Sequence, residues 1–166
     1  MKEIYFLDTC AFVKYYRDEQ GTDTVKQIVD TESNEIFIAD WSIVEAYSAL
    51  RISLFNAYPK PTEIDKVKNY FDEITTSLEA DMKNKKFLLE DLPRSYYQRA
   101  SSLIREYGVM KEMSIKKGDA IQIVGFEKLL QNFPTAKFVS ADKKLISVVK
   151  EISYENIFID PSSNKI

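Results

Sequence analysis

Five short, mostly apolar runs separated by helix-patterned segments set the tightest limit on what this chain can fold into. The runs are Ile4-Tyr5-Phe6-Leu7, Ile36-Phe37-Ile38, Phe87-Leu88-Leu89, Lys137-Phe138-Val139-Ser140 and Ile157-Phe158-Ile159. Such runs read as strands buried on both faces. Parallel strands need long crossovers, and helices supply them. The intervening segments fit. Helices are expected over Thr9 to Tyr16, Thr22 to Val29, and Trp41 to Phe55, the last with Asp40 or Ser42 as N-cap. A long amphipathic helix should run from Thr62 to about Lys83, with Val67, Tyr70, Phe71, Ile74 and Leu78 on one stripe. Further helices should start at Pro93 and end at Gly108 as C′ residue, and span Lys117 to Leu130 and Asp142 to Val149. The expected architecture is α/β: one domain over residues 1–160, a five-stranded, mainly parallel sheet with helices on both faces, and a loose tail over 161–166. In open sheets of this kind, sites form beyond the carboxyl ends of the strands. Asp8 and Asp142 stand there.

The chain has no histidine among its 166 residues. That excludes Ser-His-Asp and Cys-His nucleophiles, paired-histidine ribonuclease chemistry and the common His-ligated zinc sites. One cysteine, Cys10, excludes an internal disulfide and a multi-Cys metal site. The four glycines fit neither G-x-G-x-x-G nor a P-loop. Chemistry must come from carboxylates, hydroxyls, amines or bound metal. A net charge of −3 argues against broad phosphate binding, but leaves room for a local basic rim around an acidic centre. Met1-Lys2-Glu3 leads straight into a strand without a signal-peptide pattern, and no stretch nears the roughly 18 apolar residues of a membrane span. A cytoplasmic location with no membrane association is expected.

Asp8 follows the first strand, and its ordinary reading is an N-cap; Asp142, in Ser140-Ala141-Asp142-Lys143, reads the same way. Asp119 follows Gly118 at the start of a nearly all-apolar helix, where the helix dipole favours an acid. Glu45 lies between Val44 and Ala46 in a strongly apolar setting and is the hardest to dismiss. A carboxylate on a buried helix face is costly unless something compensates it, and a cation does so efficiently. Four acids from separated segments, at strand ends or on buried helix faces, suit hard ions such as Mg²⁺ or Mn²⁺. Those ions support phosphoryl transfer without histidine.

The motifs around these acids resemble those of the PIN-domain nucleases, and within them the VapC-type toxins. Asp8-Thr9-Cys10-Ala11-Phe12-Val13-Lys14 resembles the family's opening stretch, and Ala39 to Leu50, with Glu45-Ala46, the second motif. Gly118-Asp119-Ala120-Ile121-Gln122-Ile123 is similar to the third motif, and Phe138-Val139-Ser140-Ala141-Asp142-Lys143-Lys144-Leu145 to the fourth. Ile157 to Pro161 resembles the last strand and its turn. The resemblance implies that Asp8, Glu45, Asp119 and Asp142 are catalytic and bind metal, and that Thr9 and Ser140 support them. It implies a toxin of a toxin–antitoxin pair, an antitoxin partner and a homodimer. The departures are Cys10 for the usual Ser or Asn, Gln122 for the frequent His, Gly125, and the long helical stretch from Pro59 to Lys86.

The reading that follows is a Mg²⁺- or Mn²⁺-dependent endoribonuclease that hydrolyses RNA phosphodiester bonds. Its rival is a PIN-like module that binds RNA or protein without cleaving. A carboxylate phosphatase lacks its Asp-x-Asp motif here, because Thr9-Cys10 follows Asp8. Lys14, Arg17, Lys116, Lys117, Lys143 and Lys144 flank the acids and read either as solvated charge or as an RNA-gripping rim. Tyr15, Tyr16 and Trp41 read as packing or as base-stacking platforms; Tyr96, Tyr97 and Phe71 read as packing, and Cys10 as a small buried residue.

Overall fold

The structure is a computed structural model that describes residues 2–152 and 158–163. Its five strands are β1 (Ile4–Leu7), β2 (Glu35–Ala39), β3 (Leu88–Glu90), β4 (Lys137–Val139) and β5 (Phe158–Ile159). They form one sheet in the order β3-β2-β1-β4-β5, with every pair parallel. The helices are α1 (Thr9–Lys14), α2 (Thr22–Asp30), α3 (Trp41–Ala57), α4 (Ile64–Lys83), α5 (Tyr96–Leu103), α6 (Lys117–Asn132) and α7 (Lys143–Glu151).

Side chains alternate across a strand, so one apolar run feeds two cores. Ile4 and Phe6 of β1 join Phe37, Ala39 and Phe138 beneath α5, α6 and α7, where Leu103, Ile123, Phe126 and Val148 are buried. Tyr5 and Leu7 point the other way and pack with Ile36, Ile38 and Val139 against Phe12 of α1, Val25 of α2, Leu50 of α3 and Leu78 of α4. The expected two-sided α/β sheet is therefore present, with α1–α4 on one face and α5–α7 on the other. Gly125 belongs to this packing: a Cβ there would stand 3.1 Å from Phe6 Cζ and 3.4 Å from Ala39 Cβ, so α6 lies too close to β1 and β2 for a larger residue.

Several boundaries differ from the sequence expectations. α1 ends at Lys14 with Tyr15 as its C-cap, two residues short of Tyr16. Asp40, not Ser42, is the N-cap of α3, which runs on to Ala57. α4 begins at Ile64 after a 3₁₀ turn at Pro61–Glu63. On its apolar stripe Tyr70 is exposed and stacks on Tyr58 at 5.7 Å, while Val67 and Leu78 are buried. α5 starts at Tyr96 rather than Pro93 and continues as a π-helix over Ile104–Met110, so Gly108 lies inside it instead of ending it. Tyr97 is exposed and does not pack into the core. Asp142 caps α7 rather than opening it. The tail is ordered over Pro161–Ser163, where Pro161 is buried in a 3₁₀ turn; 164–166 and Ile157 lie outside the described residues.

Candidate active site

The strand order reverses between β1 and β4: β2 and β3 follow β1 outward on one side, and β5 follows β4 on the other. A crevice must open at the carboxyl ends of those two strands, because their connections leave in opposite directions. Asp8 follows β1 and Ser140 follows β4, joined by a hydrogen bond of 2.5 Å from Ser140 Oγ to Asp8 Oδ2. Ala11 N donates to the other oxygen, Oδ1, at 2.7 Å. Asp8 is therefore both the N-cap of α1 and a wall of the crevice. It is only 2% exposed, and its carboxyl is pushed up to about 7. Burial is the main cause; the donors Ser140 and Ala11 oppose it, and the nearby charges of Asp142 and Asp119 add to it.

Asp142 sits two residues beyond Ser140, whose Oγ accepts from Asp142 N at 3.1 Å. Its Oδ1 accepts from Lys144 N at 2.8 Å and Leu145 N at 3.3 Å, so this acid also caps a helix. Asp119 lies in the first turn of α6, with Oδ2 accepting from Lys116 N at 2.7 Å. Burial raises its carboxyl above the usual range, Lys116 opposes the rise, and Asp142 and Glu45 add to it. Glu45 projects from α3, where it is half-buried rather than fully enclosed. Its Oε2 accepts from Thr9 Oγ1 at 2.6 Å and Gln122 Nε2 at 3.0 Å. Its Oε1 rests against Gly118, and a Cβ at that position would run into it.

All four acids line one cavity of about 440 Å³, together with Thr9, Cys10, Lys116, Lys117 and Gln122. Helix capping and cavity lining turn out to be compatible, because a carboxylate has two oxygens. Among the described residues, Asp119 Oδ1, Asp142 Oδ2 and Glu45 Oε1 accept no hydrogen bond from the protein. An all-oxygen donor set of this kind suits Mg²⁺ or Mn²⁺. Among the described residues, no three acids are yet drawn together tightly enough to hold an ion as they stand.

Two residues named in the sequence for other reasons, Gln122 as a departure from the family motif and Ser42 as an N-cap candidate, belong to the site. Gln122, 2% exposed, donates from Nε2 to Thr9 Oγ1 at 2.8 Å, Ser42 Oγ at 3.0 Å and Glu45 Oε2. Ser42 is its buried partner on α3. The available signal was an amide set inside the apolar run Ala120 to Val124, since a buried amide needs partners. Cys10, expected to be buried, is exposed at the cavity rim. Partial enclosure there and the charges of Asp8, Asp142 and Asp119 push its thiol up to about 12, which keeps it an inert thiol.

A second hollow of about 540 Å³ adjoins the first and shares Thr9, Cys10, Ala49, Lys116 and Asp142 with it. Lys14, Arg17, Lys143 and Lys144 line it as well. The basic residues singled out in the sequence therefore border the acidic cavity or its neighbour. The aromatic candidates do not. Tyr15 and Tyr16 pack edge-on against Phe87 and Phe12, and Trp41 borders a separate hollow beside Pro93 and Tyr96.

The profile of the PIN domain family matches residues 5–150, which span all four acids and both hollows. The chain belongs to the PIN domain family. PIN domains are generally nucleases that use divalent metal ions. The fold is similar to that of a chain in the crystal structure of VapBC2 from Rickettsia felis bound to a DNA fragment from their promoter. That similarity has a TM-score of 0.51 at 14% identity and covers 87% of this PIN domain chain and 92% of the other. No curated protein matches the chain. Among the described residues, no helix is long and apolar enough to cross a membrane.

Proposed function

We propose that this PIN domain is a Mg²⁺- or Mn²⁺-dependent endoribonuclease and the toxin of a toxin–antitoxin pair. The observation that carries the reading is the convergence of Asp8, Glu45, Asp119 and Asp142 on one cavity, beside a hollow lined with lysine and arginine. The toxin role and an antitoxin partner are supported by the motif resemblance and by the likeness of fold to a chain of the VapBC2 structure, and a homodimer by the motif resemblance alone.

The four carboxylates would hold the ion. When bound, a divalent cation lowers the pKa of water and neutralises charge on the phosphoryl group. The chain's own groups do the rest. Ser140 and Ala11 orient Asp8, and Thr9 and Gln122 orient the Glu45 carboxylate toward the cavity. Lys116 and Lys117, at the start of α6, stand at the cavity's edge where the RNA backbone would enter. The chain has no histidine to activate a 2′-hydroxyl, and among the described residues Asp8, the carboxyl raised to about 7, is already held by two donors. Water is then the nucleophile, and the products carry 5′-phosphate and 3′-hydroxyl ends.

Incubating the purified protein with a mixed RNA pool, with Mg²⁺, Mn²⁺ or EDTA, and analysing the fragment ends tests this directly. Metal-dependent fragments with 5′-phosphates are expected. Intact RNA under every metal condition would favour the binding-module rival, and 2′,3′-cyclic phosphate ends would exclude the mechanism.

A further inference from the structure

The basic hollow beside the acidic cavity is occupied from within the chain. Glu19, in the turn between α1 and α2, places its carboxylate on two cations at once. Oε1 is 2.9 Å from Lys14 Nζ, and Oε2 is 3.4 Å from Arg17 Nη1. The turn that presents it is well anchored. Thr22 Oγ1 donates to Arg17 O at 2.6 Å and accepts from Glu19 N at 3.0 Å. Lys14 Nζ also donates to Gln20 O at 2.9 Å, and Gln20 Nε2 donates to Ser162 O at 3.1 Å. The carboxylate is thus delivered to its place by the backbone and does not reach it as a loose side chain.

A carboxylate with one oxygen on a lysine and the other on an arginine presents its charge as a phosphodiester presents its two non-bridging oxygens. The hollow that contains Glu19 is shared with the acidic cavity through Thr9 and Asp142, so a strand whose scissile phosphate reached the acids would pass over it. Lys116 and Lys143 line the same hollow and supply further positive charge. We propose that Lys14 and Arg17 form a phosphodiester subsite of the RNA groove, which Glu19 occupies in the free protein as a built-in competitor for the strand. The proposal rests on the ribonuclease reading. It makes Glu19 a determinant of affinity, and it makes Lys14 and Arg17 available to RNA only when Glu19 yields. The two pairs are partly exposed, and each such pair shifts an equilibrium by at most about fivefold. Glu19 therefore tunes binding and does not block it.

The test is fluorescence anisotropy of a labelled single-stranded oligouridylate in EDTA, across a salt series, with wild type, Glu19→Gln, Arg17→Gln and the double variant. Glu19→Gln is expected to bind about three- to tenfold tighter at low salt. Its plot of log K against log salt should steepen by about 0.7 for each additional phosphate the variant neutralises. In the Arg17→Gln background the tightening should fall by at least half. Thermal melts should place Glu19→Gln within a few degrees of wild type, since the turn keeps its other anchors. If Glu19 is only a staple for the turn, Glu19→Gln binds no tighter and keeps the wild-type slope, and the proposal is overturned; weaker binding with a lowered melting point overturns it equally. Cleavage of a mixed RNA pool by wild type with Mg²⁺ or Mn²⁺, measured in parallel, separates the two claims. Cleavage without any Glu19→Gln effect removes the subsite alone. Tighter binding by Glu19→Gln without cleavage removes the ribonuclease reading and leaves the subsite.

Discussion

Asp8 carries the heaviest electrostatic load of the four acids. It is the one fully enclosed carboxyl, with neighbouring acids adding to the penalty of burial. Its folded-state value of about 7 lies well above the roughly 3.9 of an unfolded aspartate. Between those values the folded protein keeps a proton that the unfolded chain has released. The stability Asp8 contributes is therefore complete below about pH 4 and is lost as pH rises through 7. In EDTA, the melting temperature of wild type should fall by several degrees between pH 5 and 8. Asp8→Asn should flatten that slope, melt above wild type at pH 8, and lose RNA cleavage by at least about a hundredfold. Parallel pH profiles for the two proteins would contradict this account of Asp8. Asp8, Asp119 and Asp142 were legible in the sequence because each stands at a strand end or helix start where a carboxylate already has a local use, and Glu45 because it interrupts an apolar helical run. Glu19 was not, because only the fold of the turn brings its carboxylate onto Lys14 and Arg17.

The working parts at the level of elements are the starts of α1, α6 and α7 and the seam between α3 and α6. Apolar runs and turn residues made the strands and most helices readable. The extension of α5 into a π-helix was not, since Gly108 mimicked a helix end while tertiary packing carried the chain past it. The seam is held by Gln122 and Ser42, whose pairing across elements leaves no periodic trace in sequence. Gln122→Leu would leave the buried Ser42 hydroxyl without its partner and the Glu45 carboxylate with one donor fewer. The expected cost is about 1–3 kcal/mol, or roughly 2–12 °C in melting temperature. Cleavage should fall further than the loss of folded protein explains. An unchanged rate per folded molecule would show that Gln122 only packs. Asp142→Ala removes the cap of α7 and should cost about 1 kcal/mol in EDTA, read as a loss of roughly 2–4 °C. The same melt run with millimolar Mn²⁺ should show a weaker metal response than wild type.

For the molecule as a whole, the two-sided core sets the backbone, and the reversal of strand order between β1 and β4 sets where function can live. The sheet tolerates the acids because Asp8 and Asp142 also cap helices and Asp119 accepts from Lys116 N at the start of α6, and their mutual repulsion leaves the crevice a local weak point. An ion that binds only the folded state should repair that weakness, adding about 2.7 kcal/mol at a hundredfold excess over Kd, or roughly 5–11 °C. The measurement that bears most directly on the central claim is Mn²⁺ binding itself, followed by the loss of free-ion electron paramagnetic resonance signal with wild type and Asp119→Asn at neutral pH. Saturable binding to wild type is expected, with at least tenfold weaker binding to Asp119→Asn, which keeps a side-chain oxygen for Lys116 N and so keeps its fold. Equal binding by the two proteins, or none by wild type, would contradict the assignment of these carboxylates to a metal site.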